Sequence, residues 1–265
     1  MKYIVLTIFP EMFKSFWEHG IIRRAIENKK IFAETSNIRD FAEGRHQVTD
    51  DTPFGGGSGM AMKPEPLVGA IRAARKKAPE AATILLTPQG RGLNQDLARK
   101  LADFKPLIFV CGRYEGIDER ICDDFVDFEV SIGDYVLTGG ELPAMVTIEA
   151  VTRMIPGTLG GEDAAEKDSF ADDLLEHAHY TKPRMFEGEG VPDVLLSGNH
   201  KAIDAWRRES SLIRTLLKRK DLLRDRTLSR EEIKILKTWC LDIEKIIHAQ
   251  SFRGTDALSG GQQGR

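Results

Sequence analysis

Over the first 155 residues, short apolar runs alternate with segments in which apolar side chains recur at helical spacing. Candidate strands are Tyr3–Ile8, Phe32–Ile38, Thr83–Thr87, Leu107–Cys111 and Phe128–Ser131. The periodicity between them predicts helices over Pro10–Trp17, Ile21–Asn28, Pro64–Lys77, Asn94–Phe104, Glu119–Asp124 and Leu142–Met154. Short strands rich in Val, Ile and Leu, separated by helices, argue for an α/β fold with a mainly parallel sheet covered on both faces.

From Pro156 to about Asp173 this pattern lapses into a Gly-rich, acidic and weakly apolar stretch, the composition of an interdomain linker. Beyond the turn-rich Glu187–Pro192 the chain becomes helical again. Asn199–Arg219 and Ser229–Ala249 are amphipathic, with Leu212, Ile213, Leu216 and Leu217 forming an apolar stripe. Ser229, followed by Glu231 and Glu232, supplies an N-terminal cap. Ser251–Arg265 has the composition of a disordered tail. The expected organisation is an α/β domain over 1–157, a flexible linker over 158–175, a small all-helical domain over 176–250 and a tail over 251–265.

Composition narrows the class further. The chain has 265 residues, 41% hydrophobic and 30% charged, in the range of soluble globular proteins. No apolar run approaches the ~20 residues that span a bilayer, so no membrane association is expected. The opening Met1–Ile8 reads as a strand and not as a signal peptide. The three cysteines lack CxxC spacing, which points to neither a disulfide framework nor a zinc site, and a reducing cytoplasm is the expected location. The net charge of −3 conceals an asymmetry. Residues 161–200 carry ten acidic and three basic side chains, whereas 201–250 carry thirteen basic and eight acidic. A basic C-terminal block fits contacts with phosphates.

The candidate chemistry lies in loops that follow strands. Ser131–Ala144 runs from a strand into a helix through Gly133, Gly139 and Gly140, and Pro143 sits in that helix's first turn. Such a segment offers bare backbone N–H and C=O groups to a flat heterocycle, through close approach or through φ > 0 at glycine. Cys111–Arg120 and Leu85–Gly90 also follow apolar strands. In an open α/β sheet, loops of this kind converge on one crevice. Pro53–Met62 is Gly-rich, but it matches neither Walker spacing nor the G-x-G-x-x-G fingerprint, which counts against a Rossmann oxidoreductase. His177 and His179 stand two apart without a Cys or carboxylate motif at ligand spacing, and no metal site is assigned.

Cys111–Arg120 and Ser131–Ala144, in this order, resemble the cofactor motifs of the bacterial tRNA (guanine-N1)-methyltransferases, the TrmD type of the knotted SPOUT class. The resemblance extends from Met1 to about Gln250. It implies a deep trefoil knot, which periodicity alone would argue against. It also implies S-adenosylmethionine held by Pro88, Gln89, Gly90, Gly112, Tyr114, Glu115, Gly116, Ser131, Ile132, Gly133, Asp134, Tyr135, Val136, Leu137, Gly139, Gly140 and Pro143. Asp168, in Asp168-Ser169-Phe170, would be the general base that removes the guanine N1 proton. Arg153 would stabilise charge developing on O6, and Glu115 would hydrogen-bond the guanine edge. The implied substrate is the guanine immediately 3′ of the anticodon, position 37 in tRNA. The implied assembly is a homodimer with sites at the subunit interface, and a divalent cation, Mg²⁺, is implied by the family alone. The alternatives are another knotted RNA methyltransferase, acting on a ribose hydroxyl or a different base, and a catalytically silent RNA-binding homologue.

Overall fold

The computed structural model describes residues 1–57, 59–161, 168–224 and 226–256, with side chains described as far as His248. The chain divides into two compact units, Met1–Ala165 and Glu166–Arg265.

The first unit is built on strands β1 (Lys2–Thr7), β2 (Phe32–Asn37), β3 (Asp50–Asp51), β4 (Ala61–Met62), β5 (Ala82–Gly92), β6 (Leu107–Cys111) and β7 (Phe128–Ser131). Five of these form one sheet in the order β2-β1-β6-β5-β7, and every pairing in it is parallel. Strands β3 and β4 make a separate antiparallel pair. The helices are α1 (Lys14–Glu18), α2 (Gly20–Glu27), α3 (Pro64–Lys77), α4 (Gln95–Asp103), α5 (Arg120–Phe125) and α6 (Glu141–Arg153).

Successive side chains of a strand point to opposite faces, and the core divides accordingly. Tyr3, Val5, Ile84, Leu86, Leu107, Phe109 and Cys111 pack with α2, α4 and α6 through Ile22, Ala25, Leu97, Leu101, Ala144, Ile148 and Val151. Ile4, Leu6, Leu85, Ile108 and Val110 pack on the other face with α3 and α5 through Leu67, Ala70, Ile71, Ala74 and Ile121. Each buried Val, Leu, Ile or Phe among these contributes roughly 1.5–3 kcal/mol by leaving water, and each alanine less. The continuous apolar runs are therefore central strands of a sheet covered on both sides.

Local signals set the helix ends. Pro64 begins α3, and Arg75, Lys76 and Lys77 occupy its last turn, where the helix dipole favours cations. Asn94 caps α4, its side chain accepting from the Leu97 N–H (2.9 Å). The expected helix Pro10–Trp17 is instead a 3₁₀ turn, Pro10–Phe13, followed by α1. The larger departure is β5. Pro88 and Gly90 read as the end of a strand, but β5 continues to Gly92, and its register against β7 shifts between Leu86 and Arg91.

The second unit holds a short hairpin, β8 (Met185–Phe186) with β9 (Glu189–Gly190), and helices α7 (Asp193–Leu196), α8 (His200–Lys218), α9 (Lys220–Arg224) and α10 (Arg230–Asp256). Of the expected stripe on α8, Leu212 and Ile213 are buried, whereas Leu216 and Leu217 are exposed. Residues 168–176 are tied to this unit. The Leu175 N–H donates to Thr215 Oγ1 (2.9 Å), and the Glu176 N–H donates to Ser169 Oγ (3.0 Å). Arg226 bridges Asp172 and Glu232, at 2.9 Å to each. Ser229 and Glu232 form a reciprocal capping box, Ser229 N–H to Glu232 Oε2 (2.7 Å) and Glu232 N–H to Ser229 Oγ (3.2 Å). Burial pushes the Glu232 carboxyl up, but the Ser229 N–H and the Arg226 guanidinium outweigh it and hold the group below its ordinary range. Helix α10 runs to Asp256, past the expected start of the tail, and residues 257–265 lie outside the described residues.

Candidate functional site

Strands β5, β6 and β7 lie side by side in the sheet, so the segments at their C-terminal ends meet at one edge of it. They enclose a cavity of about 330 Å³, within the size range of small-molecule sites. Most of the expected cofactor residues line it: Pro88, Gln89, Gly112, Tyr114, Glu115, Gly116, Ser131, Ile132, Gly133, Tyr135, Val136, Leu137, Gly139, Gly140 and Pro143. Gly90 and Asp134 fall outside the lining. Gly90 lies against β7, where an added Cβ would stand 2.4 Å from the Val130 nitrogen. Asp134 is exposed on the loop after β7.

Main-chain bonds hold the loops together. The Gly140 N–H donates to the Gly112 carbonyl (2.9 Å), and Arg113 and Gly139 form an antiparallel bridge. Ser131 Oγ donates to the Gly133 carbonyl (3.1 Å) and accepts from its N–H (3.2 Å). Glycine at 140 is a requirement of space. Its φ is −80°, which any residue adopts, so the expectation of a positive φ is corrected. A Cβ there would stand 2.8 Å from Cys111 Cα and 3.1 Å from the Gly112 nitrogen. Tyr114 carries the local backbone strain, with φ +61° in the loop after β6.

A buried polar group braces these loops, and sequence reasoning missed it. Glu141, 1% exposed, accepts from Thr7 Oγ1 (2.7 Å) and from Arg113 Nε (3.0 Å). Arg113 also lies over the Phe9 ring, 4.5 Å from its centroid. The end of β1, the loop after β6 and the start of α6 are thereby joined. Glu141→Gln leaves a weaker acceptor for a half-buried guanidinium. Charge-assisted hydrogen bonds contribute about 1.5–3 kcal/mol, and the expected outcome is a loss of that size in denaturant unfolding, with a weaker grip on any ligand of the cavity.

The lining also includes Glu119, Glu129 and Cys122. Burial first, then the carboxylates of Glu119, Glu129 and Asp123, push the Cys122 thiol up to about 11. At neutral pH it is a protonated thiol and not a nucleophile. Three carboxylates, Glu115, Glu119 and Glu129, face the cavity, and its one guanidinium, Arg113, is paired with Glu141. This wall suits a cationic ligand better than a nucleotide's phosphates. A sulfonium cofactor fits the charge and the volume.

Residues 1–225 match the family described as tRNA (Guanine-1)-methyltransferase TrmD. The chain is 54% identical to a tRNA (guanine-N(1)-)-methyltransferase of Desulfatibacillum aliphaticivorans, over 98% of this chain and 99% of that protein. The chain belongs to this family. Relatives with the same name in Carboxydothermus hydrogenoformans and Dehalococcoides mccartyi are 55% and 53% identical, over 88% and 89% of this chain and 91% and 96% of theirs.

The residues that the family resemblance marks for catalysis are distributed differently from the cofactor set. Glu115 lines the cavity. Arg153 ends α6 in the first unit, and Asp168 begins the described part of the second, where its carbonyl accepts from the Ala171 N–H (3.1 Å). Among the described residues, one group of three metal-ligating side chains comes together, Glu176, His177 and His179. Two imidazoles and one carboxylate do not suit Mg²⁺, which takes oxygen ligands, and no step is derived through a metal. No helix among the described residues is long and apolar enough to cross a membrane.

Proposed function

We propose that this protein transfers a methyl group from S-adenosylmethionine to N1 of the guanine immediately 3′ of the anticodon, position 37, in tRNA. The observation that carries this reading is the carboxylate-walled cavity at the ends of β5, β6 and β7, in a chain more than half identical to proteins named for guanine-N1 methylation of tRNA. The cofactor, when bound, would supply a methyl group made electrophilic by the positive sulfur, which keeps the electrons of the broken carbon–sulfur bond and leaves as a neutral thioether. The residues of the chain do the rest. The main chain at Gly112–Gly116 and Ser131–Gly140 grips the heterocycle, and the loops that form this grip are the knotted part of the fold. Guanine N1 carries a proton at neutral pH, and it must lose that proton before its electron pair can attack carbon. Asp168 removes it. Negative charge then builds on O6, where Arg153 stabilises it, while Glu115 holds the base edge.

In this reading the enzyme is a homodimer, and Asp168 of one protomer serves the cavity of its partner. The basic helix α8 holds the tRNA backbone. The test is transfer of labelled methyl to unmodified tRNA, with tRNA carrying adenine at position 37 as the control. The expected product by nucleoside mass spectrometry is 1-methylguanosine, found in the first RNA alone. Methylation of a ribose hydroxyl or of another base would assign the chain a different RNA substrate atom.

A further inference from the structure

The Gly-rich turn at residues 53–57 has no part in the chemistry above, yet its geometry is specific. Strands β3 and β4 pair Asp50 with Met62 and Asp51 with Ala61, and so close the base of a loop. The outgoing arm of that loop is bonded to the cavity wall. The Glu115 N–H donates to the Met60 carbonyl (3.0 Å), the Met62 N–H to the Gly116 carbonyl (2.9 Å), and the Asp118 N–H to the Met62 carbonyl (3.1 Å). Contact is closest at Gly59, where an added Cβ would stand 2.6 Å from Glu115 Cγ.

At the tip of the loop, the Gly56 N–H donates to the Pro53 carbonyl (3.3 Å), closing a tight turn with Phe54 and Gly55 at its corners. Gly55 has φ +89°, the left-handed value required at the second corner of a type II turn. The side chain at the first corner of such a turn projects outward. Phe54 is 105% exposed, more than an extended chain would leave it. The ring therefore contributes nothing to the core, and the turn that presents it is anchored to the wall lined by Glu115 and Gly116.

We infer that Phe54 is a stacking platform for a nucleobase of single-stranded RNA beside the methylated guanine. The inference rests on the tRNA reading above. Unpaired loop bases are held by aromatic faces, whatever their identity, and the glycines that follow Phe54 leave the backbone open to a sugar–phosphate chain. The ring is thus a positioning residue that acts through the RNA and takes no part in proton or methyl transfer.

The experiment compares the wild type with Phe54→Ala, Phe54→Leu and Phe54→Trp for tRNA affinity by filter binding, with calorimetric titration of S-adenosylmethionine as a check on the fold. An anticodon stem-loop carrying 2-aminopurine next to the target guanine reports stacking directly. The Ala and Leu variants should bind tRNA about tenfold more weakly or worse, the Trp variant should match the wild type, and all should keep their cofactor affinity. The wild type should also change the 2-aminopurine fluorescence, and the Ala variant should not. Equal tRNA affinity in the Ala variant, full affinity in the Leu variant, or no fluorescence change with the wild type would each overturn the inference. If the wild type itself methylates no guanine in tRNA, it is the functional reading that fails. If the wild type methylates and the Ala variant binds equally well, only the stacking role of Phe54 is lost.

Discussion

Asp168→Asn is expected to slow methyl transfer by roughly 10²-fold or more while leaving S-adenosylmethionine affinity unchanged. Asparagine keeps the shape of the side chain but cannot take the guanine N1 proton. Because that proton is only weakly acidic, the wild-type single-turnover rate should rise between pH 6 and 8. The residual rate of the Asn variant should rise more steeply, as hydroxide or pre-ionised guanine replaces the missing base. Single-turnover rates equal to wild type across this range would leave Asp168 as a structural residue of the turn in which its carbonyl accepts from the Ala171 N–H. The same residue reports on assembly. If each cavity is served by the partner's Asp168, an Asp168→Ala chain and a Gly140→Val chain should recover activity when mixed, since one of the two sites in a heterodimer is intact. Heterodimers without recovery would place each site within a single chain.

Gly140→Val is expected to abolish measurable S-adenosylmethionine binding in calorimetric titration. Its first added carbon would meet Cys111 Cα at 2.8 Å and the Gly112 nitrogen at 3.1 Å, and both are backbone atoms that cannot turn aside. The segment must move away from Gly112, which breaks the Gly140 N–H bond to the Gly112 carbonyl and opens the cavity where the heterocycle would lie. Relief of overpacking typically costs about 1–3 kcal/mol. The core of α6, through Ala144, Ile148 and Val151, is untouched. The variant should therefore remain folded by circular dichroism. Unchanged affinity in a folded Gly140→Val protein would remove this loop from the cofactor site.

The residues around Gly140 also mark where sequence reasoning stopped. Read from one position alone, a glycine in that loop answers equally to a close approach or to φ > 0. The actual constraint is a neighbour from β6, brought close by parallel pairing of strands far apart in the chain. Glu141 escaped for the same reason. It opens a helix, where an acidic residue is favoured by the dipole, and nothing local tells a capping charge from one buried between Thr7 and Arg113.

What the sequence determined on its own were features that rest on near neighbours. Leu107–Cys111 is a strand over the expected residues because an uninterrupted apolar run must be covered on both faces, and the short run Phe128–Ser131 is one at the edge of the sheet. Pro64–Lys77 is a helix over the expected residues because proline favours its first position and cations its last turn. The motifs Cys111–Arg120 and Ser131–Ala144 carried the family. Only the tertiary structure decided the strand order β2-β1-β6-β5-β7, the continuation of β5 to Gly92, and the meeting of three loops in one cavity. Those outcomes depend on which distant segments share a hydrogen-bond ladder: Pro88 and Gly90 do interrupt the pairing, as their local tendency requires, but Arg91 and Gly92 rejoin β7 opposite Val130 and Ser131.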